Sequence, residues 1–404
     1  MSKMIQSLRG MKDIMDNESQ LFTYFIDNAS KIASKYGFSY LETPILEETA
    51  LFKRSVGESS DIVGKEMYQF IDKGENDVCL RPEGTAGVVR MFIQNKLDRA
   101  GGTHKYFYYG PMFRYERPQK GRLREFHQFG CESFGESSVY EDANIIIMIS
   151  EILKSMGIGY KLLINSLGDN NCMPSYRETL VNFLEPLELC EDCARRKATN
   201  PIRVLDCKNE HCQSQLTNAP KITHNLCQSC DSDFTKLKDI LSQNSIEFEV
   251  DTNLVRGLDY YTKTAFEFVN DEIGAQSAIA GGGRYDRLTE FLGGRETPAV
   301  GFAIGIERLL ELIKMPENQE EIVYIGAMND EALDLAFQIA NKKRARVKVI
   351  NEYKSRGFRK HLDIASKKGA TKVALIGENE LKDGTIWTKD LTKNEEKTLK
   401  QEEF

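Results

Sequence analysis

The chain has 404 residues and is acidic, with 61 Asp and Glu against 54 Lys and Arg and a formal net charge of -7. A hydrophobic share of 41% and a charged share of 28% supply two or three packed cores and exclude a disordered chain. The longest apolar run, Ile145 to Ile149, is far short of the roughly 20 residues a membrane span needs, and MSKMIQSLRGMKDIMDNE lacks the apolar stretch of a secretion signal; we expect a cytoplasmic protein with a free N-terminus and no membrane.

From the start to about Gly168, helical and strand patterns alternate. LFTYFIDNASKIASKYG repeats apolar residues at helical spacing and ends on Gly37, a residue suited to closing a helix. HKYFYYGPMFRYE and REFHQFGCESFG read as two antiparallel strands joined by the basic loop RPQKGRL. A helix from about Glu141 to Met156 and the strand YKLLINSLG follow. The next stretch, to about Gln243, has helical ends and a poorly periodic middle, and reads as an insertion.

Strand patterns resume in FEVDTNLVRGLDYYTKTAFEFV, followed by the glycine run AGGGRYD, the helix GIERLLELI and the polar linker KMPENQEEI with Pro316. From about Ile322, IVYIGAM, a helix, VKVINEY, a second helix and KVALIG alternate, the pattern of a small α/β domain with a partly parallel sheet. Between Asn341 and Lys372 this part holds twelve Lys and Arg against two acids, Glu352 and Asp363. That imbalance favours a polyanion partner over an ordinary solvated face.

The chemistry starts from an absence. Neither G-x-x-x-x-G-K-[ST] nor G-x-G-x-x-G occurs, and the five histidines form no H-E-x-x-H, so any bound phosphates must be held by side chains. FRYERPQKGRLREFHQ concentrates Arg114, Arg117, Lys120, Arg122 and Arg124 within sixteen residues. On a strand, Arg114 and Glu116 share one parity, as do Arg124, Gln128, Gly130 and Glu132 on the return. Facing each other they form a polar floor where Arg114 and Arg122 hold a triphosphate and Gly130 leaves room above the sheet. RPEGT sets Arg81, Glu83 and Thr85 at a strand end, where a carboxylate and a hydroxyl suit an ammonium group. LVRGLDYY offers Arg256 beside Gly257 and two tyrosines, and in GFAIGIERLL Gly301 and Gly305 precede Arg308 near a helix start. Taken singly, each segment is equally compatible with a turn glycine, a core tyrosine or a surface arginine.

In order, ETPILEE with Pro44, FRYERPQ and GFAIGIERL resemble motifs 1, 2 and 3 of the class II aminoacyl-tRNA synthetases, and RPEGT, LVRGLDYYT and AGGGRYD resemble signatures of the histidyl-tRNA synthetases. The resemblance runs nearly end to end. It implies an α+β fold, with a class II catalytic domain on a mainly antiparallel sheet with flanking helices, a helical insertion and a C-terminal α/β anticodon-binding domain. The expected divisions are 1–169 and 244–316 for the two catalytic segments, 170–243 for the insertion and 320–404 for the last domain.

The resemblance also implies the reaction: ATP, with Mg2+, activates L-histidine to histidyl adenylate, and the histidyl group passes to the 3′ end of tRNA(His). By similarity, Arg114 meets the α-phosphate, Glu116 the adenine, and Arg122 and Arg308 the outer phosphates and adenine face. Glu83 and Thr85 take the ammonium, with Gln128 close to both ends of the amino acid. Glu132, Tyr261, Tyr260 and Tyr285 surround the imidazole, and Arg256 is the principal catalytic cation beside Arg114. A homodimer, with motif 1 at the interface, is implied by resemblance alone. Two other classes of function compete: a histidine-sensing regulatory paralogue, which generally lacks the last domain and the ATP residues that this chain keeps, and a non-enzymatic tRNA-binding protein. A class II enzyme for glycine, threonine or proline would not carry LVRGLDYY and GGGRYD together.

Six of the nine cysteines fall between Cys190 and Cys230. In a chain without a secretion signal, CEDC and CQSC read as metal ligands rather than disulfides. The expected site is one tetrahedral structural zinc on Cys190, Cys193, Cys227 and Cys230, with Cys207 and Cys212 as alternative ligands; the competing reading is reduced, metal-free thiols.

Overall fold

A computed structural model describes residues 4–314 and 321–404, apart from 58, 59, 61, 206, 208 and 259. The linker expected around Pro316 lies outside the described residues. The chain divides into two compact units, Met1–Lys314 and Met315–Phe404.

The strands of the first unit are β1 (Ser39–Tyr40), β2 (Leu46–Glu48), β3 (Gln69–Ile71), β4 (Asp77–Leu80), β5 (His104–Phe113), β6 (Glu125–Phe134), β7 (Lys161–Ser166), β8 (Glu249–Val250), β9 (Thr262–Val269), β10 (Ala278–Arg284) and β11 (Ala299–Gly305). Eight of them form one sheet in the order β1-β5-β6-β11-β10-β9-β7-β8. Its inner pairings are antiparallel, and only the edge pairs β1/β5 and β7/β8 run parallel. β2, β4 and β3 make a smaller antiparallel sheet.

Side-chain alternation divides the large sheet into two faces. Phe129 and Cys131 of β6, Phe266 and Phe268 of β9, and Phe302 and Ile304 of β11 point into the main core. There they meet Phe25 and Ile32 of helix Asp16–Lys35, Ile145 and Ile149 of helix Val139–Ser155, and Leu237 and Leu241 of helix Gln228–Gln243. Helix Asp16–Lys35 stops as its sequence dictates. Gly37 has a φ of 84° and donates to the Ser34 carbonyl at 3.1 Å, and Phe38 donates to Ala33 at 3.1 Å, the paired bonds that close a helix on a left-handed glycine.

The opposite face runs through the paired residues Tyr108, Gly130, Ala303, Gly281 and Glu267, one from each of five neighbouring strands. A second row contains Tyr106, Glu132, Gly301 and Gly283. These small residues leave space for larger groups above. A Cβ at Gly281 would collide with the Arg256 guanidinium, and one at Gly301 with the Glu132 carboxylate.

The second unit carries a five-stranded sheet, β12 (Ile322–Ala327), β13 (Lys348–Asn351), β14 (Lys372–Ile376), β15 (Thr385–Asp390) and β16 (Glu395–Lys400), in the order β13-β12-β14-β15-β16. β12 is parallel to β13 and β14, and β15 and β16 add an antiparallel hairpin. Helices Leu333–Lys343 and Phe358–Lys367 connect the parallel strands. Glu352 pairs with Arg356 and Lys368, and Asp363 with Lys360 and Lys367, so the two acids of the basic stretch reach only four of its twelve cations. No described helix is long and apolar enough to cross a membrane.

Candidate active site

A cleft of about 220 Å³ opens over the glycine-floored face. Arg114, Glu116, Arg122 and Arg308 line one part of it, and Glu83, Thr85, Gln128, Arg256, Tyr260 and Tyr261 the rest. Glu132 and Tyr285 lie just beneath, bonded to one another. Every residue that the resemblance assigns to histidine or ATP is therefore in or directly under one cleft, whereas Arg81 and Arg124 are not.

At the cationic end β5 stops at Phe113, so Arg114 and Glu116 belong to the connecting loop and not to a strand face as expected. The Arg114 guanidinium is held by Nε donating to the Pro82 carbonyl at 2.9 Å and by stacking 5.1 Å over the Phe126 ring. Glu116 stands between two arginines, 3.9 Å from Arg114 and 2.6 Å from Arg122. Arg308 donates to the carbonyls of Gly121 and Ala278, both at 2.9 Å. Burial, and then the like charges of Arg122 and Arg114, hold its guanidinium below its ordinary pKa; an incoming anion would relieve that repulsion. Arg124 turns away to stack 3.7 Å over Tyr115.

The other end is built around buried carboxylates. β4 ends at Leu80 and Thr85 opens helix Thr85–Gln94, so Glu83 caps that helix, accepting from Thr85 N at 2.7 Å and Ala86 N at 2.9 Å. Arg81 is structural, bonded to the Pro111 and Thr43 carbonyls. Glu132, only 1% exposed, accepts from Thr85 Oγ1 at 2.8 Å, Tyr108 Oη at 3.2 Å and Tyr285 Oη. Burial pushes its pKa up to about 8, against the lowering effect of those hydroxyls. Burial first, then the nearby acid, also raises the phenols of Tyr108 and Tyr285 well above the ordinary range, so they remain hydrogen-bond donors. Tyr108 was not anticipated from the sequence. Its ring occupies the space over Gly130, where a Cβ would strike it, so the expected room above Gly130 is filled by protein.

Arg256 donates to Glu267 Oε2 at 2.8 Å, and Glu267 is the second unanticipated member of the site. Behind the cleft the buried Arg284 meets Asp142 at Nε, 3.0 Å, and bonds the Glu136 and Ser138 carbonyls, which fixes the strand that leads into Tyr285. Gln128 Oε1, Arg256 Nε and Tyr260 Oη, all lining the cleft, are among the buried polar atoms with no hydrogen-bond partner among the described residues.

The histidyl-tRNA synthetase family model matches residues 10–309, and an anticodon binding domain model matches residues 322–404. The chain belongs to the histidyl-tRNA synthetase family. Curated relatives named histidine–tRNA ligase include that of Sulfurimonas denitrificans, 68% identical over 99% of this chain and 100% of that protein, and that of a Sulfurovum species, 64% identical over 98% and 99%. The crystal structure of apo Staphylococcus aureus histidyl-tRNA synthetase superposes with a TM-score of 0.82 at 35% identity, covering 99% of this chain and 98% of that one.

In this member of the histidyl-tRNA synthetase family the cysteines divide differently from expectation. Cys190 and Cys193 group with Cys207 and Cys212, whereas Cys227 and Cys230 group with Cys172 and Asp169. The single site on Cys190, Cys193, Cys227 and Cys230 does not form, because the two CxxC pairs begin different helices, Glu191–Thr199 and Gln228–Gln243, each with its own partners.

Proposed function

We propose that the chain is an ATP-dependent histidine–tRNA ligase, joining L-histidine to the α-phosphate of ATP and then passing the histidyl group to the 3′-terminal ribose of tRNA(His). The observation that carries this reading is a single cleft that joins Glu83, Thr85, Gln128, Tyr260 and Tyr261 to Arg114, Arg122, Arg256 and Arg308.

In the first step a carboxylate oxygen of histidine forms a bond to the α-phosphorus while the bond to the β-phosphate oxygen breaks and pyrophosphate leaves. The nucleophile is already ionised, so no base is required, and the protein contributes alignment and charge. Arg256, oriented by Glu267, and Arg114, oriented by Pro82, neutralise charge around the reacting phosphate. Arg122 and Arg308 hold the outer phosphates and adenine face, and Glu116 the adenine. ATP enters as its magnesium complex, and the ion shields the outer phosphates. In the second step a ribose hydroxyl oxygen bonds to the acyl carbon, the bond from that carbon to the phosphate oxygen breaks, and AMP departs as the hydroxyl proton is released.

The amino acid is read at both ends. Glu83 and Thr85 take the ammonium group, and Gln128 reaches both it and the carboxylate. Glu132, with Tyr261, Tyr260 and Tyr285, pairs the two ring nitrogens of the imidazole. Any other side chain fails to match the pocket groups that pair the two ring nitrogens, which supports discrimination of about 10⁴ without an editing domain.

The basic stretch between Asn341 and Lys372 of the second unit, with twelve Lys and Arg against two acids, supports tRNA binding through phosphates. Exposed Tyr40, Ile45, Leu46, Phe70 and Ile71, in and beside the motif 1 segment, support a homodimer, and the cell compartment of this reaction is the cytoplasm. No observation favours the histidine-sensing regulator, since a regulator has no use for the cluster of Arg114, Arg122 and Arg308. ATP–pyrophosphate exchange tests the reading: histidine alone among the amino acids should support exchange, and exchange with none of them, or with another in preference, would refute it.

A further inference from the structure

Seven of the nine unbridged cysteines are gathered into two groups. In the first, the sulfurs of Cys190, Cys193, Cys207 and Cys212 all lie within 4.8 Å of one another; in the second, so do Asp169 and the sulfurs of Cys172, Cys227 and Cys230. The local sequence explains how. Cys190 and Cys227 are the N-caps of helices Glu191–Thr199 and Gln228–Gln243, which puts Cys193 and Cys230 one turn in, with both sulfurs of each pair on one side.

We propose that the chain holds two structural zinc ions, one on four thiolates from Cys190, Cys193, Cys207 and Cys212, the other on the Asp169 carboxylate and the thiolates of Cys172, Cys227 and Cys230. Zinc–sulfur bonds of about 2.3 Å in a tetrahedron separate the sulfurs by about 3.8 Å, and Cys190 Sγ stands 3.9 Å from Cys207 Sγ. A disulfide would need roughly 2.05 Å, and a four-iron cluster would hold its thiolates further apart. Backbone donors already aim at the sulfurs: Cys190 N to Cys212 Sγ at 3.2 Å, Asn209 N to Cys207 Sγ at 3.4 Å and Cys227 N to Cys172 Sγ at 3.0 Å. Such outer bonds orient metal-bound thiolates and spread their charge. In the second group the Cys172 thiol lies 3.3 Å and the Cys227 thiol 3.8 Å from Asp169 Oδ1, so protons stand where a cation would draw the same atoms together. Binding displaces four protons from the first group and three from the second.

The two ions have different structural work. The first sits in the small core of the insertion, against Leu184, Val204 and Leu216. A metal that links the elements around so small a core adds to its stability. The second closes the neck. Asp169 follows β7, and Cys227 and Cys230 start the helix whose Phe234, Leu237 and Leu241 return to the main core, so one ion ties the outgoing chain to the incoming one. Within this frame Arg203 donates to the carbonyl of Gly257, the neighbour of Arg256, which couples the order of the insertion to the cleft.

The test is metal content of the full chain purified without chelator, measured for zinc and iron together. About two zinc ions per chain are expected, falling to about one in C193S/C212S and to about one in D169N/C230S. Should either variant fail to fold, cobalt titration of the unaltered chain decides instead: the strong absorption of tetrahedral cobalt thiolates should saturate at about two equivalents. Less than one zinc per several chains, iron in its place, saturation at one equivalent, or variants that keep the full zinc content would each overturn the proposal.

Discussion

Replacing Glu132 by Gln tests the imidazole pocket through a quantity the free protein already carries. Glu132 is fully enclosed, and burial, with Glu83 adding its own charge, lifts its pKa from 4.5 to about 8. A folded carboxyl raised in this way keeps its proton after the unfolded one has lost it. The folded state therefore binds more protons between those two values, and stability falls as pH rises through the window. At roughly 1.36 kcal/mol per tenfold, the full window from 4.5 to about 8 is worth about 5 kcal/mol. The E132Q chain has no such proton to lose. Urea unfolding of both chains at intervals from about pH 5 to about pH 8.5 should show the unaltered chain losing several kcal/mol that E132Q retains. Histidine activation should move the other way, kcat/KM for histidine dropping about 10²-fold because the carboxyl group that pairs a ring nitrogen is gone. A stability difference that stays flat across the pH range would refute a buried, proton-holding Glu132, and unchanged histidine kinetics would remove it from the pocket.

Arg256→Ala should slow adenylate formation by about 10² to 10³, or roughly 3 to 4 kcal/mol, with tRNA affinity nearly unchanged; near-normal pyrophosphate exchange in the variant would refute its role as principal cation. Deleting residues 315–404, one of the two compact units, should spare histidine activation and cripple aminoacylation, and equal loss of both would mean that the second unit supports the first.

Much of the site was legible because its residues sit in short, ordered segments whose chemistry is local. RPEGT, FRYERPQ, LVRGLDYY, AGGGRYD and GFAIGIERL each carry their own charge, glycine or phenol, and the cleft collects all of them. Tyr108 and Glu267 escaped because nothing adjacent to them marks them. Tyr108 lies in an aromatic strand that reads as core, and Glu267 in TAFEFV reads as an outward-facing strand residue. Only the register, which lines up Tyr108, Gly130, Ala303, Gly281 and Glu267 across the sheet, brings them over the cleft. The hairpin β15–β16 was missed for a similar reason: TIWTKD and EEKTLK are so charged that strand alternation is hidden.

The cysteines show the same limit more sharply, because spacing joined CEDC and CQSC in one expected site and the fold sets them in two separate groups. CEDC and CQSC are each local, and each does place two sulfurs together at a helix start. Which second pair completes a site depends on how the chain between them returns. Cys207 precedes helix Glu210–Leu216 and Cys212 lies within it, and both stand beside Cys190 in the core of the insertion. Asp169 and Cys172 lie where the insertion leaves the sheet, fifty-five or more residues from Cys227, and meet it only because an inserted segment must leave and rejoin its host sheet at neighbouring points. That closure follows from β7 and β8 being hydrogen-bonded neighbours. Asp169 carries no cysteine signature, so topology and not motif spacing is what brings it to the second group.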